Sequence, residues 1–106
     1  MRPNPCDLGR WVNECLKAGG KLIYSAHATH DRLRQRGLSP SDVDAILRDG
    51  FAYRVDPGMA SGEWKVNLSK RMPCGRDAAV VCLVSKSVRN VTVLTVMWVD
   101  RSYLKA

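Results

Sequence analysis

Histidine is scarce in this 106-residue chain: there are two, His27 and His30. They stand three apart with no other ligand types close by, which makes a weak zinc pair. Acidic residues are also few, 10 against 17 Lys and Arg, and they form no metal-type cluster. The four cysteines, at 6, 15, 74 and 82, include no Cys-x-x-Cys pair, which excludes a zinc ribbon and a thioredoxin-type motif. No metal or other cofactor is therefore expected. No apolar run approaches the roughly 18 residues of a membrane span, and Met1–Asp7 has no hydrophobic signal region. A cytoplasmic protein with no membrane partner is expected, and in that compartment the cysteines stay reduced. Internal repeats and low-complexity segments are absent.

What is present is enough apolar material, 45% of residues, for one modest core. The whole of 1–106 reads as a single domain: a scaffold helix in 1–20, a helical pair in 25–49, a sheet in 51–99 and a basic tail in 100–106. The formal net charge is +7 and is unevenly spread. Residues 25–37 carry +2 and 63–76 carry +3, whereas 38–62 carry −2. Such a field attracts polyanions, of which nucleic acid is the commonest in the cytoplasm; the plainer alternative is that it only keeps the domain dispersed.

Asn4 can cap a first helix and Pro5 fits its first position. Leu8, Trp11, Val12, Cys15 and Leu16 then form one apolar stripe, and Gly19-Gly20 stops it. Lys21–Tyr24 reads as a short link. A second helix is expected over 25–36 and a third over 40–49. The third has Ser39 as cap, Pro40 at its first position and Asp42 in the place of the capping-box acid. Its apolar stripe is Val43, Ile46 and Leu47, and Gly50 ends it. The two short helices suggest a helix-turn-helix, but the third carries Asp42, Asp44 and Asp49 against Arg48 alone, and an acidic helix would be repelled by a DNA backbone.

After Gly50 the period changes from 3.6 to 2. Phe51, Tyr53 and Val55 alternate with Ala52, Arg54 and Asp56. Trp64, Val66 and Leu68 alternate with Lys65, Asn67, Ser69 and Arg71, giving a dry face and a basic one. Ala78–Val84 is apolar on both faces, as in a central strand, and Val91–Val99 is the longest apolar strand. The expectation is an α+β fold, three N-terminal helices packed on a four-stranded antiparallel sheet.

The segment Ser25–Gly37 joins both histidines to Arg32, Arg34 and Arg36. His27 suits proton transfer, having an unperturbed pKa of about 6.5; the alternative is that it starts the helix or bonds Asp31. His30 lies beside Leu33 on the apolar side, either half-buried or functional. Arg32 and Arg36 are helical neighbours that can grip one phosphate, unless Arg36 ties down the helix junction. Lys65, Asn67, Ser69 and Arg71 share a strand face that either contacts nucleic acid or is merely wet. Arg34, Lys70 and Arg76 add basic surface. Thr95 is either strand filler or a hydroxyl on a cleft floor. Tyr53 and Trp64 can stack on bases, although both stand at inward positions.

This order of elements, with Ser25-Ala26-His27-Ala28, Arg32-Leu33, Arg36-Gly37-Leu38-Ser39, Asp42–Gly50 and Val93-Leu94-Thr95-Val96, resembles a family of small bacterial domains and, more broadly, the RelE/barnase-like ribonuclease toxins. The likeness spans roughly residues 22–99. It implies a metal-independent endoribonuclease, the toxin of a toxin–antitoxin pair, which cleaves RNA by attack of the 2′-hydroxyl. Its partners would be RNA, free or on the ribosome, and an acidic antitoxin. His27, Arg32, Arg36, Lys65 and Thr95 would be catalytic, and Arg34, Asn67, Ser69, Lys70, Arg71 and Arg76 would bind RNA. The competing expectation is a non-catalytic module that binds RNA or protein through the same surface.

Overall fold

The first helix, α1 (Pro5–Lys17), forms where its caps and stripe predict. The Asn4 side chain accepts from the Cys6 N–H at 2.8 Å, and Gly19 beyond the end takes φ +87°, the left-handed conformation that glycine adopts without a Cβ clash. The second described helix, α2 (Pro40–Asp49), begins in a full capping box: Ser39 Oγ accepts from the Asp42 N–H, and the Asp42 carboxylate accepts from the Ser39 N–H. Asn13 of α1 donates to Leu47 O of α2 at 2.5 Å and ties the two helices together. These are features of a computed structural model that describes residues 4–25, 33, 37–58, 62–73, 75–85 and 89–99.

Five strands follow the alternating segments: β1 (Lys21–Tyr24), β2 (Phe51–Pro57), β3 (Glu63–Arg71), β4 (Asp77–Ser85) and β5 (Asn90–Val99). Their order across the sheet is β1-β5-β4-β3-β2. β2 to β5 form an antiparallel meander, and β1 lies parallel to β5, with Lys21 opposite Asn90 and Tyr24 opposite Val93. The expected architecture of three helices on a four-stranded antiparallel sheet is therefore corrected: the described residues form two helices and a five-stranded mixed sheet. Lys21–Tyr24 is a strand and not a link. Four residues are too few to display a two-residue period, and the partner strand stands at the far end of the sequence. The helix expected over 25–36 lies outside the described residues apart from Ser25 and Leu33, and so does the tail over 100–106.

The core lies between the helices and one face of the sheet. Leu8 and Val12 of α1, with Ile46 and Leu47 of α2, are fully buried against Val66 and Leu68 of β3 and Val80 and Cys82 of β4. Burying a side chain of this size contributes about 1.5–3 kcal/mol. Leu33 belongs to the same core. β4 is central and buried on both faces, as its unbroken apolar run suggests.

Two bulges reset the alternation. The β2–β3 register shifts at Tyr53, so Ala52 and Val55 both face the core while Phe51, read from simple alternation as sharing a face with Val55, is 56% exposed. Ala52 then abuts α1, where a Cβ added to Gly9 would come within 2.9 Å of its own. In β5, Val81 stands opposite Thr95 and Cys82 opposite Val93, leaving Leu94 unmatched.

Gly50 joins α2 to the sheet at close quarters. Its backbone, φ −74° and ψ 168°, is open to any residue, but a Cβ there would run into Ile46 O and stand 2.9 Å from Ser69 O. Gly50→Ala is expected to lower stability by about 1–3 kcal/mol through overpacking. Urea unfolding measures this directly, and an unchanged midpoint would mean that α2 lifts off β3 without cost.

Candidate nucleic-acid interface

The face of the sheet turned away from α1 and α2 carries the polar positions of β3. Pairing then assembles a row across four strands: Arg54 (β2) is opposite Asn67 (β3), Asn67 opposite Val81 (β4), and Val81 opposite Thr95 (β5). With strands about 4.8 Å apart, this row spans roughly 14 Å. The next row begins with Asp56 opposite Lys65. Together these residues line a groove of about 320 Å³, floored by Val81, Leu94 and Met97 and edged by Arg54, Asp56, Lys65, Asn67 and Thr95.

Both bulges serve this groove. Without the extra residue at Leu94, Thr95 would share a face with Val91 and Val93, which point into the core. The bulge turns it to the open face instead. Arg54 likewise follows directly after the irregularity at Tyr53.

Charge and hydrogen bonding in the groove are uneven. Arg54 Nε donates to Asp56 Oδ2 at 2.7 Å, an exposed pair of small energetic weight. Among the described residues, Asn67 Oδ1 is buried without a hydrogen-bond partner, and the same holds for Ser69 Oγ two residues along the same face. Next to Leu94 of the floor, the Ser25 N–H donates to Val93 O at 2.9 Å and Ser25 Oγ donates to Leu94 O at 3.2 Å. The chain thus departs for the histidine segment from a residue bonded to Leu94 of the groove.

Three of the residues expected to act, Lys65, Asn67 and Thr95, come together in the groove. Ser69 shares their face but is wholly buried. Arg71, at the end of that face, lies 3.7 Å from the Asp77 carboxylate. Arg76 is placed elsewhere, with its guanidinium 4.4 Å over the Trp98 ring, and Trp98 packs on the core. Lys70 stands opposite Ala78 on the face that carries the core. His27, His30, Arg32, Arg34 and Arg36 lie outside the described residues. Of the two candidate stacking rings, Trp64 packs against the core and Tyr53 is half-buried at the bulge.

Arg54 and Asp56 were not among the expected site residues. Their signal was present in the alternation of β2, because a hairpin with β3 sets them beside Asn67 and Lys65. Tyr24, at the end of β1, is half-buried, and burial, then the negative charge of Asp44, pushes its phenol above the ordinary value of 10.0. It is a neutral phenol throughout the physiological range. The buried Cys82 thiol is pushed up to about 12 by burial and is inert as a nucleophile at neutral pH, whereas Cys6 is exposed; Cys74 lies outside the described residues. Among the described residues no helix is long and apolar enough to cross a membrane.

These features define a small α+β domain whose sheet face away from the two described helices bears a groove with an apolar floor and a polar edge. Comparison with protein-family models, with curated proteins and with solved structures finds no match. The likeness to the ribonuclease toxins accordingly rests on the residues quoted for it.

Proposed function

We propose that the groove binds RNA and that the chain is a metal-independent endoribonuclease, the cytoplasmic toxin of a bacterial toxin–antitoxin pair. The observation that carries this reading is the convergence of Lys65, Asn67 and Thr95, from two separate strands, on one groove in a chain of net charge +7. Cleavage follows from RNA's own chemistry. His27 takes the proton of the 2′-hydroxyl, the 2′-oxygen bonds to phosphorus, and the bond from phosphorus to the 5′-oxygen breaks. Lys65 and Arg54 offset the charge of the crowded phosphorane, and the leaving 5′-oxygen receives a proton from Lys65 or solvent. The products are a 2′,3′-cyclic phosphate and a 5′-hydroxyl. An acidic antitoxin would cover the same basic surface.

One observation favours the non-catalytic alternative. Of the groove's described lining, only Asp56 and Lys65 are side chains that exchange protons, since arginine stays protonated, and Asp56 is engaged with Arg54. The readings separate when purified protein is incubated, with and without ribosomes, with an RNA and its 2′-deoxy analogue. Cleavage of the RNA alone is expected. Intact RNA with salt-sensitive binding would leave the module. Lys65→Ala is expected to weaken binding to all RNA sequences alike and to lower the salt slope by about one. Unchanged affinity and slope would take the RNA off this face.

A further inference from the structure

We infer that the groove is a subsite for one unpaired nucleotide, in which Asn67 reads the edge of the base while Lys65 and Arg54 hold its phosphate. The inference rests on the RNA reading and adds to it the form of the ligand and a specificity residue. About 320 Å³ is room for a single nucleotide and not for a duplex. The floor of Val81, Leu94 and Met97 is apolar and suits the flat face of a base, whereas Lys65 and Arg54, the latter exchanging its exposed Asp56 partner for the phosphate, lie toward β2 and β3. This division between an apolar floor and a charged edge matches the division within a nucleotide.

Asn67 supplies the second observation. A buried carbonyl oxygen without a donor is costly, and in folded proteins such atoms call for an explanation. Asn67 Oδ1 is in that condition beside the groove. The last torsion of asparagine is soft, so the carboxamide can turn to meet a base, accepting from a ring or exocyclic N–H and donating to a neighbouring ring nitrogen or carbonyl. On the Watson–Crick edge those atoms are free only when the base is unpaired, and the opposite edge lies in the deep, narrow major groove of an RNA duplex, out of reach of a side chain. A ribose-phosphate backbone offers a donor only in its sugar hydroxyls, and presents no donor and acceptor side by side on one flat edge.

The experiment compares three probes by fluorescence anisotropy at fixed salt: a ten-nucleotide RNA, its duplex, and an abasic ribose-phosphate strand of equal length. The single strand is expected to bind about tenfold more tightly than either other probe, the factor for one satisfied buried acceptor. Asn67→Ala is expected to remove that advantage and leave the abasic strand unaffected, whereas Lys65→Ala weakens all three. Unfolding curves of each variant verify that the sheet is intact. Equal binding of all three probes by the native protein would overturn base reading and leave RNA binding standing. Absence of binding to every probe would overturn both. An Asn67→Ala variant that keeps the full single-strand advantage would remove Asn67 from the role.

Discussion

His27→Ala is expected to leave RNA binding in place and to slow cleavage by about 10²–10⁴-fold, the usual worth of a positioned general base or acid. Binding and cleavage would part in this way because Lys65 and Arg54, the charges proposed to hold the phosphate, lie on the sheet, while the histidine proposed for proton transfer belongs to another segment. Ser25 explains why this histidine is the one to test. Two residues before His27, the chain is bonded to Val93 and Leu94, and Leu94 is part of the groove floor. Single-turnover cleavage of a labelled RNA, with affinity measured beside it, reads both quantities. His30→Ala is the control. A larger loss from it than from His27→Ala would transfer the role to His30, and full activity in both variants would remove the histidines from the chemistry.

The second large effect is alkaline. Cys82 lies at the centre of β4, with no exposed surface, and its thiol donates toward Val66 O at 3.5 Å. Burial pushes that thiol from 9.0, the value in an unfolded chain, up to about 12. The fold therefore holds the neutral thiol, and the thiolate belongs to the unfolded state. The contribution is whole below pH 9 and is lost as pH climbs from 9 toward 12, at a rate on the order of 1 kcal/mol per pH unit. Cys82→Ala lacks the group. At neutral pH it is expected to be the less stable protein, having lost packing. Urea unfolding at a series of pH values should show the gap closing by about 2–3 kcal/mol as pH approaches 11. Parallel curves for the two proteins would mean that water reaches the thiol in the native state.

The two helices with their caps, and the strands of the meander, were legible because each is announced locally. Asn4 and Ser39 cap, Gly19 and Gly50 stop, and the period changes from 3.6 to 2 at residue 51. Cys15 and Cys82 were legible as core for the same reason. β1 was not, since its identity depends on β5 and on nothing within its own four residues. The bulges at Tyr53 and Leu94 were equally hidden. An inserted residue leaves no mark in composition, yet it decides which of Phe51 and Ala52 is buried and which way Thr95 turns. In the candidate site, Lys65 and Asn67 follow from plain alternation in β3. Arg54 required the hairpin register, and the attachments of Arg71 to Asp77 and of Arg76 to Trp98 required three dimensions.

The parallel pairing of β1 with β5 also orders events in time. During synthesis Lys21–Tyr24 leaves the ribosome long before Asn90–Val93, the segment against which it pairs. The meander can zip up hairpin by hairpin, but β1 must wait for its neighbour and dock last, the slow kind of long-range closure. Ser25, bonded to Val93 and Leu94, is fixed only at that step. The groove likewise lacks Leu94, Thr95 and Met97 until β5 has been made, and any activity that needs it would be withheld until synthesis has passed that strand.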